Sequence, residues 1–303
     1  MHSTAQNISI KISLIASRLK TAYGLLESCR VCPRTCGVNR LKGEKGFCGM
    51  RFHPVVSSDS LHHGEEPPIS GYRGSGTIFF AGCNLGCVFC QNYPISHLGH
   101  GNQITLPELA SKMLRLQKLG AHNINLVTPT HFAPQIMGAL LIAYKRGLEI
   151  PLVYNCGGYE SLEMLRLWHG IADIYMPDMK YSDREMANKY SSAPDYPTVN
   201  KKAIKEMYRQ TGDLQFNSEG IAHSGLLIRH LVLPNNIAGT QGVLRFVAEE
   251  ISSNTYISLM KQYFPAYQAV SLPSINRCVT TAEYNKAKAY LKHLGLERGW
   301  VQE

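Results

Sequence analysis

The sequence predicts an α/β fold: a partial, laterally open (β/α)6 barrel of the TIM type with an N-terminal cysteine-rich extension. From residue 77 onward, six short runs are apolar nearly throughout, which is typical of parallel strands covered on both faces. Helical patterns separate the runs, and strands joined in this way form right-handed crossovers. Six units are fewer than the eight that close a full barrel.

The predicted strands position the candidate functional residues. They span residues 77–82, 124–128, 151–155, 173–177, 226–233 and 256–260. Active sites of such arrays lie at the carboxyl ends of the strands, so the residues that follow each strand are the first candidates.

The predicted helices have recognisable starts and ends. Spacings typical of capping boxes occur at Thr105 with Glu108, Ser182 with Glu185, and Thr280 with Glu283. Four apolar patterns stop at glycines: Gly120, Gly147, Gly170 and Gly212.

Composition and length indicate one globular body with an appendage. With 303 residues and 44% hydrophobic composition, we divide the chain into an extension (1–76) and a barrel with a C-terminal helix (77–303). The apolar stripe from Ile8 to Leu26 predicts a helix packed on the body, although it also has features of an organelle transit peptide. No run approaches the ~20 apolar residues of a membrane span, so we expect a cytoplasmic protein that does not bind membranes.

The net charge of +9 raises the question of an acidic partner, either nucleic acid or an acidic redox protein. The basic residues are scattered, however, and the densest group is explained by a solvated helix face. That group is Lys201, Lys202, Lys205 and Arg209. We therefore do not expect a nucleic-acid partner.

Seven of the nine cysteines form two tight groups, which indicates metal ligation in a reducing compartment rather than disulfides. Cys156 and Cys278 stand apart, and we expect each to be a small buried apolar residue.

The group Cys83, Cys87 and Cys90 directly follows the first predicted strand. Three thiolates at this spacing leave one iron of a four-iron cluster open, and an open iron can bind substrate. A zinc loop or three buried structural cysteines are the alternatives, but structural zinc normally takes four protein ligands.

The second group contains four cysteines on glycine-rich turns: Cys29, Cys32, Cys36 and Cys48. Four thiolates would close a site around zinc or a second iron–sulfur cluster, with a structural or electron-relay role. A metal-free arrangement remains an alternative.

The Cys-x3-Cys-x2-Cys motif, with Phe89 before its last cysteine, resembles the signature of the radical S-adenosylmethionine (radical SAM) enzymes. Asp178-Met-Lys180 and the run ending in Arg229-His230 are similar to segments of pyruvate formate-lyase activating enzymes. The cysteine-rich start, together with His-Gly-Glu-Glu-Pro-Pro and Cys-Gln-Asn, resembles an uncharacterised subgroup of activating-enzyme-like iron–sulfur proteins.

The resemblance implies an oxidoreductase in which Cys83, Cys87 and Cys90 hold a 4Fe-4S cluster. The open iron would chelate S-adenosyl-L-methionine (SAM), and reductive cleavage would give a 5′-deoxyadenosyl radical for hydrogen abstraction. It also implies that Phe89 packs near the adenine, that Asp178 and Lys180 lie beside the SAM carboxylate, and that Arg229 reaches the ribose or the carboxylate. The sequence assigns no residue as a catalytic acid or base.

The side-chain chemistry agrees with these positions. Arginine offers a rigid fork for a carboxylate, and an Asp-x-Lys pair in a strand points both side chains to one face. A local ion pair between Asp178 and Lys180 is the alternative. His230 alternates away from Arg229 and is expected to face the helices as a core histidine.

One segment departs from the family pattern. The family usually follows strand two with Gly-Gly-Glu, which holds the SAM amino group, whereas this chain has Thr128-Pro-Thr-His131. Hydroxyls, backbone carbonyls or His131 could accept the ammonium hydrogen bonds instead. Asn155, Gly157 and Gly158 end strand three, where either ligand approach or packing explains glycine.

By analogy, we expect glycyl-radical activation of a partner enzyme, with an electron donor such as flavodoxin or ferredoxin. Modification of a small molecule or RNA is the alternative within the same chemistry. A noncatalytic iron–sulfur or zinc protein is the alternative outside it. The loop from His62 to Pro68 receives no catalytic role.

Overall fold

The computed structural model describes residues 4–302 and contains one mostly parallel sheet with helices packed against it. The strands are β1 (Val55–His62), β2 (Ser75–Phe80), β3 (Asn102–Gln103), β4 (Ile124–Val127), β5 (Leu152–Cys156), β6 (Ile174–Pro177), β7 (Gln215–Phe216), β8 (Ala222–Leu231), β9 (Tyr256–Met260) and β10 (Gly299–Val301). The helices are α1 (Thr4–Gly24), α2 (Pro67–Ser70), α3 (Tyr93–Ser96), α4 (Leu106–Lys118), α5 (Ala133–Lys145), α6 (Leu162–Trp168), α7 (Arg184–Ser191), α8 (Tyr196–Thr211), α9 (Thr240–Glu250) and α10 (Thr281–His293).

The sheet has the open order β10-β9-β8-β6-β5-β4-β2-β1-β3, with β7 paired to β8. From β2 to β10 all neighbouring strands run parallel, whereas β1 runs antiparallel to both β2 and β3. Since β3 and β10 are not paired to each other in the described part of the chain, the barrel is laterally open, which confirms the predicted fold class.

All six predicted strands are present, and the structure adds strands that the sequence reading missed. β10 is a seventh parallel strand of only three residues, too short for an apolar run to mark it. β1 has four consecutive polar residues, Ser57–Ser60, and no continuous apolar run, because it is an antiparallel strand near the sheet edge with one face partly exposed. The division at residue 77 stays a prediction, although β1 extends the sheet from the N-terminal side of that boundary.

The helix ends are mostly as predicted. Thr105 and Thr280 form complete capping boxes with Glu108 and Glu283. The prediction of Ser182 as a cap was wrong: Asp183 caps α7, while the Ser182 hydroxyl donates to the Gly239 carbonyl. The glycines predicted to end helices, Gly120, Gly147, Gly170 and Gly212, all have positive φ.

Helix α1 packs on the body of the barrel through α5 and α6. Ile15 is fully buried, and Lys11 Nζ lies 2.5 Å from the carboxylate of Asp173 at the start of β6. This confirms the packed-helix interpretation. No helix among residues 4–302 is both long and apolar enough to span a bilayer.

The two isolated cysteines differ in burial. Cys156 is buried at the end of β5, as expected. The prediction for Cys278 was wrong, because its side chain is exposed in the loop before α10, where no periodic pattern constrains burial.

Candidate active site

The three-cysteine loop follows β2 at the carboxyl end of the parallel strands. Gly82, with φ +79°, turns the chain away from the strand, and a Cβ there would lie 2.6 Å from the Cys48 carbonyl oxygen. Only glycine fits both this conformation and this approach. Backbone hydrogen bonds then fix the loop, from Gly86 to Ser191 and from Val88 to Tyr190.

The three thiols line one cleft of about 150 Å³. Asp178, Lys180 and Arg229 line the same cleft, so the structure brings together six of the residues predicted for the cluster and SAM. Thr128, Asn155 and Gly157 complete its wall next to the cysteines. The prediction that residues after successive strands converge here is therefore supported by geometry.

Hydroxyl groups contact two of the three thiols. Ser191 Oγ donates to Cys87 Sγ at 2.9 Å, and Ser96 Oγ lies 3.1 Å from Cys90 Sγ. The Tyr181 hydroxyl contacts Ser191 in turn. Burial raises the pKa of Cys83 and of Cys87, so a thiolate there needs a nearby cation.

Two cations and two carboxylates supply charge beneath the thiols. Lys180 Nζ lies 2.6 Å from Asp178 Oδ2, and Arg229 Nε lies 3.0 Å from Asp178 Oδ1. Burial opposes ionisation of Asp178, but Arg229 and Lys180 outweigh it and keep the pKa of this carboxyl below its usual range. The predicted local ion pair is therefore real, and it forms part of the cleft wall.

All three nitrogens of the Arg229 guanidinium group contact other residues of the protein. Besides Asp178, its Nη2 donates to Asn155 Oδ1 at 2.7 Å and its Nη1 lies 3.4 Å from Glu65 Oε2. Burial raises the pKa of Glu65, and Arg229 partly offsets this. The sequence analysis gave Glu65 no role. The feature that could have indicated one is the acidic pair just before two prolines. Glu65 follows β1, which places it in the barrel interior.

Several predicted residues lie elsewhere. Phe89 packs edge-on against Tyr181 and Tyr263 and is not among the residues that line the cleft, so its contact with adenine stays a prediction. His230 is fully buried between the Met179 carbonyl and the Thr240 hydroxyl, and burial lowers its pKa to about 4, which is the expected core histidine. His131 lines a different cavity, together with the four N-terminal cysteines.

The segment after β4 presents Thr128 to the cleft in a strained conformation. Thr128 has φ +58°, and its backbone N–H donates to the Asn155 carbonyl. Two residues further on, Thr130 Oγ1 donates to Glu160 Oε1 at 2.7 Å, while the Tyr154 hydroxyl lies 3.2 Å from the other carboxyl oxygen. Glu160 thus anchors the segment that replaces Gly-Gly-Glu.

Part of the chain matches a known protein family. The family model described as the radical SAM superfamily matches residues 77–213, which include the three cysteines. These residues therefore form a radical SAM superfamily domain. Such a domain implies an enzyme that uses SAM and a 4Fe-4S cluster. The match leaves open the activating-enzyme subgroup suggested by sequence resemblance.

Two relatives of this chain come from Methanocaldococcus jannaschii. The uncharacterized protein MJ0674 is 30% identical over 287 residues, covering 92% of this chain and 78% of its own. The uncharacterized protein MJ0808 is 24% identical over 265 residues, covering 81% of this chain and 73% of its own length.

The crystal structure of Streptococcus suis SuiB bound to the precursor peptide SuiA matches 73% of this chain with a TM-score of 0.50 and 12% identity. This chain spans less than half of SuiB, 46%, and the likeness is one of fold.

The cleft fits the cofactors of a radical SAM protein. Thiolates are the usual ligands of iron–sulfur clusters, and the three here share their cleft with two cations suited to a carboxylate. Within residues 4–302, no three histidine, cysteine, aspartate or glutamate side chains are grouped as ligands of a single metal ion. A four-iron cluster makes a different demand, since each thiolate meets a different iron.

We expect Glu160 to make stability depend on pH. Burial raises its pKa to about 7 from 4.5, with hydrogen bonds from Thr130 and Tyr154 partly offsetting this. The folded state therefore binds more protons than the unfolded state between about pH 4.5 and 7, so the free energy of unfolding falls as pH rises through this window. Glu160→Gln should remove this slope and raise stability at pH 8.5 by up to roughly 3 kcal/mol.

The control is Glu163→Gln, a half-exposed carboxylate three residues further on, in α6. Urea unfolding of both variants and the unsubstituted protein from pH 5 to 8.5 measures the effect. Equal pH slopes for Glu160→Gln and the unsubstituted protein would contradict the assignment.

Replacement of Arg229 by lysine should destabilise the barrel interior. Three nitrogens of the arginine donate to Asp178, Glu65 and Asn155. The single ammonium group of a lysine cannot reach all three of these partners. We expect Arg229→Lys to lower the free energy of unfolding by roughly 3 kcal/mol, because two charge-assisted hydrogen bonds are lost. Arg245→Lys, on the exposed face of α9, is the control, and the same small effect in both variants would refute this role.

Proposed function

We propose that this protein reductively cleaves SAM at a 4Fe-4S cluster held by Cys83, Cys87 and Cys90, and uses the resulting radical to abstract hydrogen from a substrate. One observation carries the proposal: the three thiols, the Asp178–Lys180 pair and Arg229 line a single cleft at the carboxyl ends of the strands. When bound, the cluster supplies the electron that splits the sulfonium of SAM.

In this proposal, residues of the chain bind and orient the cofactors and shield the cleft from water. Ser191 and Ser96 place hydroxyl groups beside Cys87 and Cys90, and such hydrogen bonds tune the potential of an iron–sulfur cluster. Lys180 adds positive charge next to the thiolates and beside the proposed carboxylate site. The side chains of Phe79, Phe80 and Leu85 line the rest of the cleft and exclude water from the reacting centre.

Arg229 has a narrower role than the family resemblance implies. Three of its nitrogens are engaged by Asp178, Asn155 and Glu65, so we propose that it fixes Asp178 and presents charge at the cleft wall. Thr128 stands where the family usually places Gly-Gly-Glu. Its hydroxyl and neighbouring carbonyls are the proposed acceptors for the SAM amino group.

For the substrate, we propose a protein segment, with glycyl-radical activation of a partner enzyme as the specific reaction. The barrel is open on one side, and exposed apolar side chains flank the cysteine loop. Leu98 is 56% exposed next to α3, and Phe264 and Val270 are 50% and 59% exposed in the segment that bonds to Val88. Exposed apolar groups around a cleft favour a macromolecular partner.

SAM cleavage is the primary test. After anaerobic reconstitution, dithionite and SAM should release 5′-deoxyadenosine from the unsubstituted protein and from Cys278→Ser, whose thiol is exposed and outside both cysteine groups. Cys83→Ala should reduce the product about 100-fold or more, because a ligand of the open cluster is lost. An intact cluster that yields no 5′-deoxyadenosine would end the proposal.

Partner activation is tested separately. Pyruvate formate-lyase incubated with the reduced protein and SAM should develop a glycyl-radical signal in electron paramagnetic resonance. Phe264→Ser with Val270→Ser should slow its appearance several-fold and leave partner-free SAM cleavage unchanged, whereas Ile10→Ser on α1 should affect neither. If the hydrogen abstracted by the 5′-deoxyadenosyl radical comes from a small molecule or RNA, and none comes from protein, the proposed protein substrate is wrong.

A further inference from the structure

The four cysteines of the N-terminal extension line a second, small cavity that is separate from the SAM cleft. Cys29 and Cys32 are buried, and Cys36 and Cys48 are partly buried. The packing is close: a Cβ at Gly46 would lie 2.9 Å from Cys36 Sγ. Four thiols from two turns thus converge on one small enclosed space.

Two of the other side chains that line this cavity have a buried nitrogen without a hydrogen-bond partner: Arg34 Nη2 and His131 Nδ1. His131 Nε2 lies 2.7 Å from the Ala81 carbonyl oxygen and must donate to it, which leaves the lone pair on Nδ1. Buried polar atoms without partners are rare and indicate a missing neighbour. A donor and an imidazole lone pair beside four thiols match a metal with sulfur ligands.

We propose that Cys29, Cys32, Cys36 and Cys48 hold a second metal centre, with Arg34 and His131 beside it. Since no three of these thiols are grouped as ligands of one metal ion, the class of the centre is an iron–sulfur cluster, in which each thiolate meets a different iron. Four thiolates close such a site, so its role is to support structure rather than to bind substrate.

The centre is connected to the SAM site through three contacts with the cysteine loop. Arg34 Nε donates to the carbonyl of Asn84, next to Cys83, at 2.9 Å. His131 bonds to Ala81, and the Cys48 carbonyl packs against Gly82. Residues 81, 82 and 84 thus all contact residues around the four-cysteine site, which we call the four-cysteine module (residues 29–48 with His131). Metal binding by this module therefore fixes the first turn of the loop that carries Cys83.

The test uses a protein that lacks the ligands of the SAM cluster. The variant Cys83→Ala/Cys87→Ala/Cys90→Ala is purified without oxygen, dialysed against EDTA, checked for folding by circular dichroism, and analysed for metals by mass spectrometry. We expect about four irons per chain. Adding Cys32→Ala and Cys36→Ala should abolish this metal, whereas adding Cys278→Ser should not.

About four irons per chain support the site. A folded triple variant with zinc alone, or with neither zinc nor iron above trace levels, would overturn the proposal, as would iron that survives loss of Cys32 and Cys36. This result is independent of SAM cleavage by the unsubstituted protein, so the two proposals can fail separately.

The connection has its own readout. In the unsubstituted cysteine background, Arg34→Ala should keep the second metal but release iron from the Cys83 centre to a chelator several-fold faster. Arg30→Ala, an exposed arginine in the same turn, is the control. Equal release rates in the two variants would show that the module does not support the loop.

Discussion

The loop from Cys83 to Cys90 must hold three thiols on one side without being a helix or a strand, and the site depends on how this is achieved. Backbone hydrogen bonds to three separate segments hold the loop and the preceding Gly82 in place: residues 190–191 at the end of α7, the segment around Ala269, and Ile95 in α3, which accepts from Gly82. Asn84, buried, adds a side-chain bond to the Tyr159 carbonyl. Since these partners come from distant parts of the chain, the loop acquires its shape only when the barrel is assembled.

The interior of the barrel explains how a charged ligand can be received in a buried place. Arg229 and Lys180 are matched by Asp178 and Glu65, so the cations are kept ionised without solvent. Breaking one partner of such a network leaves a buried unpaired charge, which is strongly destabilising. The same network orients Asp178 and Lys180 toward the cleft, and thereby couples the stability of the fold to the binding surface.

Sequence reasoning predicted the fold well because parallel strands are continuous apolar runs, and it located the thiols because their spacing is a local signal. It could not assign Glu65, whose role arises from a β1 pairing between distant residues. It also gave His131 as one of several acceptors for the SAM amino group, since a sequence position after β4 does not say which cavity the side chain enters. In the structure, Thr128 lines the SAM cleft and His131 lines the four-cysteine cavity.

The proposed function requires one iron of the 4Fe-4S cluster to have no protein ligand and to be bound by SAM. Electron–nuclear double resonance of the reduced protein with SAM labelled at its amino nitrogen and carboxylate oxygen tests this most directly. The account predicts hyperfine coupling of both labels to the cluster spin, abolished in Cys83→Ala. A reduced cluster with full iron content whose spectrum shows no coupling to either label, and no change when SAM is added, would contradict it.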